Sequence, residues 1–118
     1  MKYPKSIITN DMGHCFLCGS GDHIEIHHIF SGSNRSHSTA FGCVVPLCHD
    51  CHQGSDGVHF NREKMDYLRK VAQLCCEHEY HWNEQDFRSV FHRNYLDDND
   101  RELLKDKIIF TIDLEELF

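Results

Sequence analysis

The order of apolar and polar positions divides the chain into a strand-like first half and a helical second half. Residues 23–30, His-Ile-Glu-Ile-His-His-Ile-Phe, alternate well enough to predict a strand. Residues 43–47, Cys-Val-Val-Pro-Leu, predict a short second strand, with Pro46 at an edge or end because it has no N–H to donate. Residues 31–42 between them are rich in turn formers and predict a polar loop, and residues 54–57, Gly-Ser-Asp-Gly, a further turn. From residue 62 the period lengthens. Met65, Leu68, Val71, Ala72 and Cys75 recur at helical spacing, predicting a helix over 62–79 with Asn61 as N-cap and Glu63 near its positive end. Asn83 with Asp86 three residues on predicts a second cap, and Phe87, Val90 and Phe91 the buried stripe of a helix over 84–95. Residues 1–12 read as an irregular lead-in. The pattern breaks again at Asp97, and residues 107–114 suit a strand or a helix equally.

The seven cysteines change this picture more than any other feature of the composition. Cys15-Phe16-Leu17-Cys18 lies among Gly13, Gly19 and Gly21, which permit a tight backbone path, so residues 13–22 predict a metal-binding turn. Cys48-His49-Asp50-Cys51 follows after 29 residues, room for a strand–loop–strand hairpin whose ends one ion would clamp. Two residues between thiolates let both reach one zinc at about 2.3 Å, so Cys15, Cys18, Cys48 and Cys51 form a candidate structural Zn²⁺ site. An odd number of cysteines does not make a complete disulfide framework. With no run of 18 apolar residues and no leader pattern, the expectation is a cytoplasmic protein with no membrane span, in a reducing compartment where paired thiols bind metal. Cys75 and Cys76 fall on the first predicted helix and read as core or free thiols.

Other motifs on the same residues fit less well. Cys48-His-Asp-Cys51-His52 matches a haem-attachment pattern, which needs export and leaves Cys15 and Cys18 unused. His23-x-Glu25 with Pro46 and Cys48-x-x-Cys51 approaches a zinc-deaminase signature, but Pro46 is one residue too far from Cys48. A two-Cys, two-His finger fails because His23 follows Cys18 too closely.

Glu25-Ile-His27-His28-Ile29, the following polar segment and Val-Val-Pro-Leu-Cys-His-Asp-Cys-His52 together resemble the HNH endonuclease superfamily, over residues 15–59. The resemblance implies an α+β fold: a small ββα-metal (His-Me finger) core clamped by the four-cysteine structural zinc and followed by C-terminal helices. By position it makes His28 the general base, His27 and His52 ligands of a catalytic Mg²⁺, Mn²⁺ or similar ion, and His59 a further ligand. It also implies DNA phosphodiester hydrolysis to 5′-phosphate and 3′-hydroxyl ends, a phage or prophage origin, and packaging or recombination proteins as partners. A neutral imidazole titrating near pH 7 suits a base, and a metal held by imidazoles can polarise a phosphate. Adjacent strand residues face opposite ways, so His27 and His28 serve one phosphate only if the strand bends at the Ser31-Gly32 turn. One position departs from the pattern: the superfamily's middle Asn, which braces the catalytic histidine, falls on Cys43, leaving Asn34 or Ser36 as substitutes.

Charge qualifies this expectation. The chain carries −7, which is unfavourable for phosphate binding. Residues 97–118, however, hold eight acids against three bases, −5 of that total. The division is thus a domain over 1–96 and an acidic tail or terminal element over 97–118. The tail is expected either to restrain DNA binding or to pack through Ile108, Ile109, Phe110, Ile112 and Leu114. Arg35, Arg62, Lys64 and Arg69 are candidate phosphate contacts. A non-catalytic zinc module that binds nucleic acid or protein is the alternative.

Overall fold

The computed structural model describes residues 5–104 and shows a small α+β fold. Strands β1 (Ile24–His28) and β2 (Val44–Cys48) pair antiparallel, with Ile24 opposite Cys48 and His28 opposite Val44. Helices α2 (His49–Gln53), α3 (Arg62–Glu79) and α4 (Glu84–Phe91) follow in chain order.

The segment between the strands corrects the sequence expectation. Residues 31–42 are not a loop: a 3-10 turn (Gly32–Asn34) runs into a helix, α1 (Arg35–Phe41). Its polar composition hides that helix. Gly42 ends it in the left-handed region at φ 76°, where the Gly42 N–H bonds the Ser38 carbonyl. A Cβ at Gly42 would also meet the Lys5 carbonyl oxygen at 2.9 Å, because the lead-in passes there. That lead-in is irregular but integral. Ser6 Oγ donates to the Val44 carbonyl at 2.6 Å, and the Ile7 N–H bonds the Gly42 carbonyl at 3.0 Å. This cover leaves every residue of β2 buried.

α3 has the bounds its stripe predicts, with the Asn61 side chain accepting from the Lys64 N–H at 3.1 Å. α4 starts where expected, on a reciprocal Asn83–Asp86 capping box. It ends at Phe91, short of residue 95, because His92 adopts φ 69° and terminates the helix. The next residues instead bond α3: buried Gln73 donates to Asn94 Oδ1 at 2.8 Å and accepts the Tyr95 N–H at 2.8 Å. The core between hairpin and helices is aromatic, with Phe30 4.5 Å from Phe91 and Phe87 4.8 Å from Phe91 between ring centroids.

Residues 98–104 are helical and capped reciprocally by Asp97 and Asp100. Arg101 grips Glu77 of α3 at 2.6 and 3.1 Å, and Lys70 reaches Asp100 at 3.0 Å. The start of the acidic tail is therefore docked on α3. The segment 107–114 lies outside the described residues. Among the described residues no helix is long and apolar enough to cross a membrane.

Candidate metal centres

The hairpin brings the two Cys-x-x-Cys turns together. Cys15, Cys18, Cys48 and Cys51 offer four sulfurs within 4.8 Å of one another, a set that can hold a metal ion such as zinc. The first turn is shaped by the Gly19 N–H bonding the Cys15 carbonyl at 2.8 Å, with Gly19 at φ 81°. The Phe16 N–H ties this turn to the Pro46 carbonyl of β2 at 2.8 Å. Cys18 and Cys48 sulfurs lie 3.6 Å apart, close to the spacing of about 3.8 Å that two thiolates adopt on a tetrahedral zinc with bonds of about 2.3 Å. Burial works against ionising Cys15. The backbone N–H groups of Cys48, Cys18 and Leu17 outweigh it and hold the thiol down at about 6, so one thiolate is available near neutral pH. Burial and the neighbouring sulfurs push Cys51 the other way.

A second cluster sits on the adjacent face of the hairpin. His27 from β1, His52 from α2 and His59 from the turn before α3 bring their ring nitrogens within 4.8 Å. Ring centroids lie 5.0 Å apart for His27 and His52, 5.3 Å for His27 and His59, and 4.8 Å for His52 and His59. Close backbone contact makes this possible. The Val58 N–H bonds the Cys51 carbonyl at 2.8 Å, and a Cβ at Gly57 would stand 2.8 Å from the Asp50 carbonyl oxygen. Only glycine lets the chain pass that near to α2 and deliver His59.

Three observations suit this cluster to a cation. His27 is 2 % exposed, and its Nε2 is buried with no hydrogen-bond partner among the described residues. Burial, then His52 and His59, hold its proton affinity down at about 3, so the ring stays neutral with a lone pair to give. His52 is oriented from behind: Glu25 Oε1 lies 2.8 Å from His52 Nδ1, so Nδ1–H donates and Nε2 is left for a ligand bond. His49 and Gln53 also bond Glu25, and His49 with His52 holds that carboxyl down at about 2. Sequence reasoning gave Glu25 no such role. Its signal was the i, i+2 spacing from His27, which puts both on one face of β1.

His28 follows His27 at the end of β1, and its side chain turns to α1 while staying near enough to His27 for its charge to act there. Its Nε2 lies 3.1 Å from Thr39 Oγ1 on α1. The Thr39 hydroxyl donates to the Arg35 carbonyl at 3.4 Å, so it accepts from His28 Nε2–H and leaves His28 Nδ1 unprotonated. Burial, then the Arg35 charge, lower the proton affinity of His28. The expected bracing residues are corrected here. Asn34 donates instead to the Phe91 carbonyl at 3.0 Å, and Ser36 is exposed. Thr39 orients the imidazole, while buried Ser38 donates to the Phe30 carbonyl at 2.7 Å and accepts the Phe30 N–H at 3.0 Å. Cys43 is fully buried just before β2, 3.2 Å from the Cys76 sulfur, and Cys75 is equally a core residue.

The candidate phosphate contacts differ in availability. Arg35 and Arg62 are exposed, with Asp66 3.7 Å from Arg62. Lys64 is committed to the 54–57 turn through the Asp56 carbonyl at 2.7 Å and its carboxylate at 3.0 Å. Arg69 lies near enough to the histidine cluster for its charge to act on His27. Compared with protein-family models, curated proteins and solved structures, the chain matches none of them.

Proposed function

We propose that the chain is a metal-dependent HNH endonuclease hydrolysing DNA phosphodiester bonds, with β1, β2 and α2 as its ββα-metal core. One observation carries this: three imidazoles, His27, His52 and His59, cluster where one ion can join them, and His28, next to His27 on β1 and near enough for its charge to act on that ring, is oriented with a free Nδ1. The orphaned His27 Nε2 and the all-nitrogen donor set fit a divalent ion. When bound there, such an ion supplies Lewis-acid stabilisation of charge on the phosphate. The chain's own work is positional and acid–base. His28 Nδ1 takes a proton from water as the water oxygen bonds phosphorus, the P–O3′ bond breaks, and the departing O3′ takes a proton from solvent water, leaving 5′-phosphate and 3′-hydroxyl ends. Thr39 keeps the imidazole in the required tautomer. Glu25 holds His52 in place and does not touch the reacting atoms. Metal-dependent nicking of supercoiled plasmid by purified protein tests the proposal.

The loss of the bracing Asn at Cys43 favours a second reading, a zinc module that binds nucleic acid without cutting it. That reading is supported if the protein shifts plasmid in a gel but never nicks it with Mg²⁺ or Mn²⁺.

His52→Ala is expected to weaken the catalytic ion so that activity partly returns at higher divalent-ion concentration. Glu25→Gln should behave the same way, with metal affinity reduced about 10–100-fold. Release of tightly held zinc by either substitution would place His52 on the wrong ion. His59→Ala should give the same recovery if His59 completes the set.

Truncation after Leu96 is expected to leave a folded protein, since Arg101–Glu77 and Lys70–Asp100 are partly exposed pairs of at most about 1 kcal/mol each. DNA binding should tighten and stay salt-sensitive, because the removed segment carries −5. An insoluble product would assign the tail to the core.

A further inference from the structure

A cavity of about 180 Å³ opens between α3 and the chain just beyond α4, lined by Arg62, Asp66, Arg69 and Lys70 and, opposite them, by Arg93 and Tyr95. Four cations face it against one lining carboxylate, in a chain whose net charge is −7. That carboxylate is spread thinly. Asp66 approaches both Arg62 and Arg69 at 3.7 Å, outside hydrogen-bonding distance of either. Lys70 is engaged by Asp100 at 3.0 Å, so the arginines are the groups left to serve the cavity.

The arginines are also pre-organised. The Arg93 guanidinium lies 5.1 Å from the Tyr95 ring centroid and that of Arg69 5.8 Å, so one aromatic ring fixes two forks. Tyr95 is itself fixed: its N–H bonds Gln73 and its ring packs 5.3 Å from Phe30. Within this arrangement Arg69 Nε is buried and has no acceptor among the described residues. A rigid, donor-rich cavity short of acceptors suits a tetrahedral oxyanion, and planar forks suit phosphate oxygens in particular.

Position decides which phosphate. α3 begins three residues after His59, so Arg62, its first residue, directly follows the turn that delivers a candidate ligand, and Arg69 lies two turns on, about 10 Å along the axis. A nucleic-acid strand carries one phosphate per about 3.4 Å of duplex axis, and Arg69 is near enough to His27 for its charge to act there, so a strand on the histidine cluster that runs along α3 brings further phosphates to these arginines. We propose that the cavity is a phosphate-docking site, in which Arg69, Arg93 and Arg62 seat a backbone phosphate of the strand lying across the histidine cluster. Its place beside a scissile phosphate rests on the endonuclease reading; binding itself does not. Asn94, Tyr95 and Arg93 lie outside the segment of HNH resemblance, and they gain a role only through the docking of this segment on Gln73.

The test is titration of the full chain with a labelled short oligonucleotide, single-stranded and duplex, over a range of salt concentrations. Arg93→Gln and, separately, Arg62→Gln are expected to weaken binding about tenfold and to lower the salt-dependence slope by about one counterion. Arg88→Gln, which removes an exposed charge from α4 outside the cavity, should leave binding unchanged. Melting temperature and zinc content should match the parent in all three. Equal losses in Arg93→Gln and Arg88→Gln would mean diffuse charge and overturn the site, as would absence of oligonucleotide binding. Saturable binding of inorganic phosphate lost in Arg93→Gln, without oligonucleotide binding, would assign the cavity to a free anion and likewise overturn the proposal. Arg93-dependent oligonucleotide binding by a protein that never nicks plasmid would keep the docking site and remove the nuclease reading. Nicking that is indifferent to both cavity arginines would do the reverse.

Discussion

Cys48→Ser, or a strong chelator, is expected to unfold the protein and not merely to inactivate it. Cys48 ends β2, caps α2 and sits 3.6 Å from Cys18, so one sulfur joins the hairpin, the first turn and the helix that carries His52. The hairpin has two strands of five residues and cannot stand alone in water. Structural zinc in small domains contributes about 10–16 kcal/mol at neutral pH, as much as or more than the net stability of about 5–15 kcal/mol typical of a whole domain. Its loss cannot be absorbed by the aromatic core around Phe87 and Phe91. The measurement is elemental analysis beside far-ultraviolet circular dichroism through a chelator titration: zinc loss and helix loss should coincide. A metal-free protein with a native spectrum and melting curve would show that the four thiols are dispensable to the fold.

His28→Ala is expected to lower cleavage by at least about 100-fold, the contribution of a positioned general base, while zinc content and melting temperature stay near those of the parent. The side chain is only part-buried and bonds one hydroxyl, so stability has little to lose. The pH profile should carry the same signature. Burial and the Arg35 charge favour the neutral ring, and a base works only when neutral. Activity should therefore persist below the ordinary imidazole value of 6.5 and fall as pH drops through the lowered one. Thr39→Val should reduce turnover more than substrate affinity, because it frees the ring to adopt the wrong tautomer. Full activity in His28→Ala would mean that another group activates the water.

Much of this was legible in the sequence because it depends on local spacing. A tight turn brings two thiols together whatever the rest of the chain does, so both Cys-x-x-Cys pairs could be read directly. α3 could be read because its apolar stripe and its Asn61 cap are both written within one element. α1 could not, since five of its seven residues are polar and only Ala40 and Phe41, at its end, are apolar. It is held as a helix by the left-handed Gly42 stop and by Ser38, whose hydroxyl bonds Phe30 eight residues earlier in the chain. The end of α4 was misplaced for a similar reason: Asn94 and Tyr95 satisfy buried Gln73, a partner 21 and 22 residues away, better than they would extend the helix.

The site divides along the same line. Residue type and spacing singled out His27, His28, His52 and His59, because imidazoles beside thiol pairs are chemically distinctive at any distance. What each imidazole does was decided by tertiary contacts alone. His27 turns inward and His28 to α1, Glu25 fixes one ring nitrogen of His52, and Thr39 fixes one of His28. Gly57 lets the chain approach α2 closely enough for His59 to arrive. The arginine cavity joins residues 62–70 to 93–95 across the whole of α4. No period or motif links such segments, because their meeting is fixed by how helices pack and not by anything adjacent in the chain.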